Sequence, residues 1–314
     1  MSKSELFPGF ENRDVTIPVG ESQSGESRSG QTRSGETRIH LRLGGSGPPL
    51  LLLHGYPQSH VAWHKVAPIL APHFRLVIPD LPGYGDSLGP PRSDDHTHHS
   101  KRVTAAVFVE LMSTLGHDRF DVAAHDRGAR VGYRMALDHP DRVKRLASLD
   151  TVPTLDIWEA ADKDFAIDAF HWPLLAQPAP FPERLIGADP DGFLDQLLTT
   201  WAGSANALDP AAVAEYRRCF HKPSVLEAMS EDYRAGATLD LLHDQADRDG
   251  GRRVLCPVFV PWGQRYTLSS PESVWQRWAD DVRTLPLDCG HFIAEELPEA
   301  CAHGLLDFFN PKGS

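Results

Sequence analysis

The sequence predicts an α/β fold in which a mostly parallel central sheet is flanked by helices and carries a helical cap. Short apolar runs alternate with segments of helical periodicity, which is typical of strands joined by right-handed crossovers. The runs at 50–53 and 75–79 are almost wholly apolar, as expected for strands that are buried on both faces. Between 153 and 226 such runs disappear while Trp, Phe and Pro accumulate, which indicates a helical insertion.

Composition excludes several classes of protein. Of the 314 residues 41% are hydrophobic, and 43 acidic against 31 basic residues give a net charge of −12. This charge argues against general binding of nucleic acid or of an anionic membrane. The four cysteines lack close paired spacing, so neither a zinc site nor a disulfide framework is expected. We expect a cytoplasmic protein that needs no metal or other cofactor.

The individual elements follow in chain order. Two strand-like runs flank three copies of a polar pentapeptide at 24–38, which predicts a hairpin with a flexible loop at 20–38. The predicted elements after the hairpin are the strands Leu50–Leu53 and Arg75–Pro79, the helix Arg102–Leu115, the strand Phe120–Ala124, the helix Gly128–His139, the strand Arg145–Leu149, a last strand Val254–Trp262 and a helix Glu295–Phe309. The corresponding division is a first core part at 1–152, a cap at 153–226 and a second core part at 227–314.

The stretch AAHDRGAR at 123–130 has the small-x-nucleophile-x-small outline of a strand-to-helix elbow, with Asp126 at its apex. Ala124 stands at the first small position, where glycine is commoner. A surface turn whose aspartate caps the next helix is the alternative. Two further residues favour the elbow, because Asp150 ends the following strand and His291 comes late in the chain, in the order nucleophile, acid, histidine.

A turn after the first buried strand completes the predicted site. The backbone N–H of Tyr56, in the sequence HGYP, and that of Arg127 would form an oxyanion hole above Asp126. A carboxylate nucleophile attacks saturated carbon and forms an alkyl ester, which a water molecule activated by His291 would hydrolyse. This chemistry narrows the field to dehalogenases and epoxide hydrolases.

Two arginines indicate the charge of the substrate. In a helix that starts near Gly128, Arg127 and Arg130 can both lie beside the first turn, close to the nucleophile. Their guanidinium groups would bind a substrate carboxylate and offset its repulsion by Asp126. Ordinary surface pairing with neighbouring acidic residues is the alternative.

Seven motifs together resemble the fluoroacetate (haloacetate) dehalogenases of the α/β-hydrolase fold, over nearly the whole chain from Leu6 to Phe309. They are HGYPQSHVAWHKVAP, DLPGYGDS, HDRGARVGYRMALDHP, LDTVPT, FHWPLLAQPAPFPE, EDYRAGA and CGHF. The resemblance implies that Asp126 is the nucleophile, His291 the base, Asp150 its acid, and Arg127 and Arg130 the carboxylate-binding pair.

The resemblance also implies a halide site formed by His171, Trp172 and Tyr233. An imidazole, an indole and a phenol would supply three hydrogen-bond donors to a poor leaving group such as fluoride. The expected partner is therefore a small anionic haloacid, and homodimers are common in the family.

Three alternatives remain at this stage. An epoxide hydrolase or a haloalkane dehalogenase would share the triad, although a neutral substrate gives the paired arginines no role. Epoxide opening ordinarily uses two cap tyrosines, and Trp172 occupies the position of the second. A ligand receptor that has lost turnover is the third alternative.

Overall fold

An eight-stranded sheet organises the molecule, for which a computed structural model describes residues 6–19, 35–266 and 270–310. Its strand order is β1-β2-β4-β3-β5-β6-β7-β8, with β1 antiparallel to β2, β2 antiparallel to β4 and the remaining pairs parallel. The mostly parallel sheet predicted from the sequence is thereby confirmed. The strands are β1 Glu11–Val19, β2 Gly35–Gly44, β3 Pro49–Leu53, β4 Arg75–Pro79, β5 Phe120–His125, β6 Val143–Leu149, β7 Val258–Gly263 and β8 Val282–Leu287.

Two strand predictions need correction. Val254–Trp262 is not the last strand, because β8 follows it at the edge of the sheet. In β8 only Leu287 is buried, so this edge strand lacks the apolar run that marks the central strands. The loop predicted at 20–38 ends earlier than expected, since residues 35–38 already belong to β2 and pair with β1. Residues 20–34, which hold most of the pentapeptide repeat, lie outside the described part of the chain.

Helices cover the sheet and form a separate group above it. α2 packs against α3, and α3 packs against β5 and β6, so the helix that follows the predicted elbow is anchored to the middle of the sheet. The helices are α1 Ala67–Leu70, α2 Lys101–Thr114, α3 Asp126–Asp138, α4 Thr154–Glu159, α5 Lys163–Asp168, α6 His171–Leu175, α7 Phe181–Ala188, α8 Pro190–Trp201, α9 Pro210–Phe220, α10 Pro223–Gly236, α11 Leu239–Asp249, α12 Glu272–Trp275, α13 Ile293–Glu296 and α14 Pro298–Phe309. None of the described helices is both long and apolar enough to cross a membrane.

The insertion between β6 and β7 consists of the helices α4 to α11. The boundary predicted at 226 falls inside α10, which packs against α7 and α9 and also against α2. α10 therefore joins the inserted helices to a helix that flanks the sheet. The division into core and cap remains a prediction.

The sheet places the predicted site residues at one edge. Leu50, Leu51, Leu52 and Leu53 of β3 are fully buried, as their apolar run predicts. Because β3, β5, β6 and β7 are parallel, their carboxyl ends meet at the same edge. In this architecture ligands bind at that edge.

Candidate active site

Asp126 stands at the junction between β5 and α3, at the apex of the predicted elbow. Its backbone adopts a φ of 45°, in the left-handed region that a residue with a Cβ seldom occupies. Such a turn points the side chain away from the sheet. Close packing below the turn requires glycine at Gly128, where an added Cβ would lie 2.4 Å from the carbonyl oxygen of His54.

The alanine that replaces glycine before the nucleophile fits without displacing the strand. Ala124 pairs in register with Leu53 on one side and Ser148 on the other, and it is fully buried. The facing residue on α3 is Gly132, where an added Cβ would come within 3.4 Å of the Ala124 methyl group. Gly132 thus provides the space that the methyl group needs.

His291 lies between the two carboxylates, as the chain order predicted. Its Nδ1–H donates to Asp150 Oδ2 at 2.6 Å, while its Nε2 lies 3.9 Å from Asp126 Oδ2. The backbone N–H of Gly263 donates to the other Asp150 oxygen at 2.9 Å and fixes that carboxylate. Burial lowers the pKa of His291, but the hydrogen bond and charge of Asp150, together with the charge of Asp126, raise it overall.

The turn after β3 holds the other oxygen of the nucleophile. The backbone N–H of Tyr56 donates to Asp126 Oδ1 at 2.8 Å. The amide of Arg127, the second predicted donor, lies in the first turn of α3, where backbone N–H groups have no intrahelical partner. His54 braces the turn, since its Nδ1–H donates to Gly55 O at 2.9 Å and its Nε2 accepts from Leu81 N at 2.9 Å.

The two arginines occupy different environments. Arg130 lines a cavity above Asp126, where its Nη1 donates to Val152 O at 2.9 Å and its Nε has no hydrogen-bond partner among the described residues. Arg127 does not line the cavity. Its Nε donates to Asp232 Oδ2 at 2.7 Å and its Nη2 to Asp232 O at 2.8 Å, which leaves Nη1 buried without a partner in the described chain.

The three predicted halide-binding residues come together above the nucleophile. The rings of His171 and Tyr233 lie 5.6 Å apart, as do those of Trp172 and Tyr233. The Arg127 guanidinium lies 4.1 Å from the Tyr233 ring, and that of Arg130 lies 4.6 Å from the Trp172 ring. All five side chains therefore form one aromatic and cationic cluster.

The pKa values of His171 and Tyr233 show that both side chains are neutral hydrogen-bond donors at neutral pH. Burial lowers the pKa of His171 to about 3, so its imidazole is neutral at neutral pH. Burial, reinforced by the charge of Asp126, raises the pKa of Tyr233 well above its ordinary value, so the phenol keeps its proton. Neutral imidazole and phenol each donate one hydrogen bond without adding a competing charge.

A cavity of about 290 Å³ opens above the nucleophile. Burial alone would raise the pKa of Asp126, but neighbouring positive groups, led by His291 and including Arg130 and Arg127, hold it below its ordinary range. The nucleophile is therefore ionised at neutral pH. The predicted site residues among the lining are Asp126, Arg130, Asp150, His171, Trp172 and His291, whereas the side chains of Tyr56, Arg127 and Tyr233 do not line it.

Sequence reasoning missed several contributors to the site. Asp232 precedes Tyr233 in the EDYRAGA motif, but no spacing rule links it to Arg127, more than a hundred positions away. His125 donates from Nε2 to the carbonyl oxygen of His291 at 2.8 Å and positions the histidine loop. Because His125 directly precedes Asp126 in the sequence, it could have been predicted to lie in the site. Trp201 packs against His171 with ring centroids 4.5 Å apart, and only the aromatic content of the predicted cap pointed to it.

The sequence around this site matches a known protein family. The model of the alpha/beta hydrolase fold family matches residues 48–298. That range contains the turn at Tyr56, the elbow, the inserted helices and His291.

Individual proteins are similar over nearly the whole chain. A fluoroacetate dehalogenase from Burkholderia sp is 41% identical over 98% of this chain and 97% of its own length. A soluble epoxide hydrolase from Corynebacterium sp. (strain C12) is 34% identical over 87% of this chain and 94% of its own. The crystal structure of a "putative alpha/beta hydrolase" from Nostoc sp PCC 7120 has a TM-score of 0.88 at 44% identity, covering 96% of this chain and 98% of that one.

Proposed function

This chain belongs to the α/β-hydrolase fold family, and from that premise we propose that it hydrolyses the carbon–halogen bond of small haloacids. The proposed substrates are haloacetates such as fluoroacetate, and the products are a hydroxy acid and a halide ion. One observation carries the proposal: an ionised carboxylate, Asp126, lines the same cavity as the buried guanidinium of Arg130. The 41% identity to a fluoroacetate dehalogenase supports it.

The first step is displacement at saturated carbon. Asp126 Oδ2, on the side of His291, attacks the carbon that bears the halogen, and the halide leaves with the bonding electron pair. Asp126 Oδ1 stays on the Tyr56 N–H throughout. The Arg130 guanidinium holds the substrate carboxylate. Arg127 lies outside the cavity lining and contributes its positive charge, with Nη1 unpaired among the described residues.

The cluster of His171, Trp172 and Tyr233 binds the departing halide. Each hydrogen bond to a developing anion contributes about 1.5–3 kcal/mol. Fluoride gains most from such donors because it is the poorest leaving group among the halides and the strongest acceptor.

The second step hydrolyses the ester. His291 Nε2 takes a proton from water, whose oxygen adds to Cγ of Asp126, and the resulting oxyanion on Oδ1 is stabilised by Tyr56 N–H and Arg127 N–H. Collapse breaks the bond from Cγ to the alkyl-bearing oxygen, and the leaving alkoxide takes the proton from His291. Asp126, left as a carboxylic acid, then loses the second proton of the water to solvent. The charge of Asp126 raises the pKa of His291. Forming the ester removes that charge and lowers the pKa again, which favours the neutral imidazole that hydrolysis requires.

Epoxide hydrolysis is the second candidate, because a soluble epoxide hydrolase is 34% identical over most of the chain. Tyr233 could donate to an epoxide oxygen. The ring centroid of Trp172 lies 5.6 Å from that of Tyr233, but an indole N–H is too weak an acid to protonate the epoxide oxygen. A neutral epoxide also leaves the buried charge of Arg130 without a partner.

Halide release tests the proposal directly. We expect purified protein to release fluoride from fluoroacetate and chloride from chloroacetate, and Asp126→Ala to abolish both while circular dichroism shows an unchanged fold. Chloride without fluoride would retain the displacement mechanism and remove the assignment of the halide cluster. Release of neither halide, with turnover of a styrene oxide control substrate, would replace the proposal by epoxide hydrolysis.

A further inference from the structure

One buried carboxyl group outside the active-site cavity has no role in the proposed mechanism. Glu295, in α13, is 1% exposed and contacts Gln58 and Tyr216, which are 2% and 0% exposed. Gln58 Nε2 and the Tyr216 hydroxyl, at 3.0 Å, both donate to the same oxygen, Oε2 of Glu295. The three residues join the turn after β3, the inserted helix α9 and the segment that follows His291.

Two acceptors in this cluster lack donors. Gln58 Oε1 and Glu295 Oε1 are both buried, and neither accepts a hydrogen bond from any described residue. Unsatisfied buried acceptors are rare because they lose their hydration without compensation. Rotating the Gln58 amide by half a turn does not help, since it would direct Oε1 against Oε2 of Glu295.

A single proton on Glu295 satisfies both atoms. A carboxylic acid and a primary amide form a ring of two hydrogen bonds, in which the amide N–H donates to one carboxyl oxygen and the carboxyl O–H donates to the amide oxygen. The bond from Gln58 Nε2 to Glu295 Oε2 is already the first of these. Protonated Oε1 then faces Gln58 Oε1 as the donor that it lacks.

The surrounding charges permit this protonation. Burial raises the pKa of Glu295 to about 8, and the negative charge of Asp209 adds to this effect. The hydrogen bonds from Tyr216 and Gln58 and the charge of Lys65 act in the opposite direction. Lys65 Nζ, the nearest cation, donates instead to the backbone carbonyl of Glu295 at 3.0 Å.

We propose that Glu295 is a positioning residue that acts as a neutral carboxylic acid. It holds the turn that contains the oxyanion donor, the Tyr56 N–H, against α13 and, through Tyr216, against the inserted helix α9. Gln58 closes this turn, because its backbone N–H donates to Gly55 O at 3.0 Å. Tyr56, between them, donates to Asp126 at 2.8 Å. The catalytic consequence rests on the proposed function. When Glu295 ionises, the ring with Gln58 opens and the Tyr56 N–H loses its fixed direction.

The pH dependence of kcat separates this role from a purely structural one. We expect kcat for chloroacetate to fall as the pH rises through about 8, the pKa of Glu295. Glu295→Gln keeps both hydrogen bonds of the ring and cannot ionise, so it should retain wild-type kcat at neutral pH and lose this alkaline decline. Glu295→Leu should lower kcat on the order of 10-fold at all pH values, with KM little changed, because the oxyanion donor acts on the transition state.

Glu299→Gln is the matched control, since Glu299 is exposed on the next helix and the variant should keep the wild-type profile. An alkaline decline that persists unchanged in Glu295→Gln would overturn the proposal.

A measurement without substrate keeps this test independent of the proposed function. In wild-type protein labelled with 13C at the glutamate side-chain carboxyl, one resonance should titrate near 8 and be missing from Glu295→Gln. Selective glutamate labelling excludes Asp244, whose pKa burial also raises. If every glutamate titrates in its ordinary range, Glu295 is ionised and the proposal fails, even in an active enzyme. A carboxyl that titrates near 8 in protein that releases no halide would instead reject the proposed function alone.

Discussion

Asp126 and the groups around it show how single residues divide the work of one site. Its Oδ1 is held by a backbone donor and its Oδ2 faces His291, so the two oxygens of one carboxylate have different roles. Arg127 shows a similar division: its Nε and Nη2 bind Asp232, and only Nη1 remains for a ligand. Because Asp232 also binds Lys101, the charge of Arg127 is only partly neutralised. Arg130, unlike Arg127, lines the cavity and is therefore the arginine that an anion in the cavity would meet.

At the same scale, Tyr233→Phe should distinguish the halides. Removing one donor should lower kcat/KM for fluoroacetate roughly 10- to 100-fold, since a hydrogen bond to an anion contributes about 1.5–3 kcal/mol. Bromoacetate should lose much less, because bromide leaves readily without strong donors. Initial rates on both substrates, measured with an ion-selective electrode, provide the comparison.

Tyr266→Phe is the matched control, because Tyr266 lines the same cavity beside His291, with ring centroids 4.4 Å apart, outside the halide cluster. Its effect should be the same for both halides. An equal loss on both substrates in Tyr233→Phe would show that this phenol does not bind the departing halide.

At the scale of elements, the site depends on two turns that press against each other. The elbow between β5 and α3 packs on the turn after β3 so closely that Gly55 and Gly128 have no room for a side chain. At Gly55 an added Cβ would lie 2.6 Å from Cβ of Asp126. This contact places the Tyr56 N–H within hydrogen-bond distance of the nucleophile.

Gly128→Ala should therefore destabilise the fold as well as the site. The added methyl group meets the carbonyl oxygen of His54 at 2.4 Å, and such overpacking costs about 1–3 kcal/mol. Urea unfolding followed by circular dichroism measures the change in the free energy of unfolding. Gly187→Ala is the control, because a Cβ there lies 3.8 Å from Leu226 and alanine favours a helix. Equal stabilities of the two variants would contradict the close packing of the elbow.

The elements also show what can be predicted from a single sequence. Buried central strands such as β4 were located to the residue, because a strand that is covered on both faces must be apolar throughout. β8 was missed because an edge strand needs no such run. The pairs Arg127–Asp232 and Gln58–Glu295 could not be predicted, since each joins segments far apart in the chain. The first pair also depends on how the inserted helix α10 packs.

At the scale of the whole molecule, the sheet assembles groups from the full length of the chain at one edge. Tyr56 follows β3, Asp126 follows β5, Asp150 follows β6 and His291 follows β8, while the inserted helices supply His171. The charge of the whole chain and the charge of the two arginines near the nucleophile have opposite signs. The net charge of −12 is distributed over the chain, yet Arg127 and Arg130 lie buried next to the nucleophile. The anionic substrate that we propose would therefore be attracted locally by a protein whose overall charge repels it.

This arrangement predicts that kcat declines at acid pH, the acid limb of the pH profile, because His291 becomes protonated. Ester hydrolysis requires a neutral imidazole, so kcat should fall as the pH drops below the pKa of His291. Asp150 and, until the ester forms, Asp126 raise this pKa. Asp150→Asn removes the stronger of these influences and should shift the acid limb to lower pH, with a reduced plateau. Below the limb, displacement continues without hydrolysis, and mass spectrometry of acid-quenched protein should show the alkyl ester accumulating on Asp126.

Asp156→Asn serves as the control, since Asp156 lies in α4, the first inserted helix, and binds Arg277 and Trp278 rather than His291. It should leave the acid limb in place. An acid limb that does not move in Asp150→Asn would mean that a group other than His291 controls ester hydrolysis. An ester that fails to accumulate below the limb would mean that displacement and hydrolysis lose activity together, as expected if protonation of Asp126 itself were responsible.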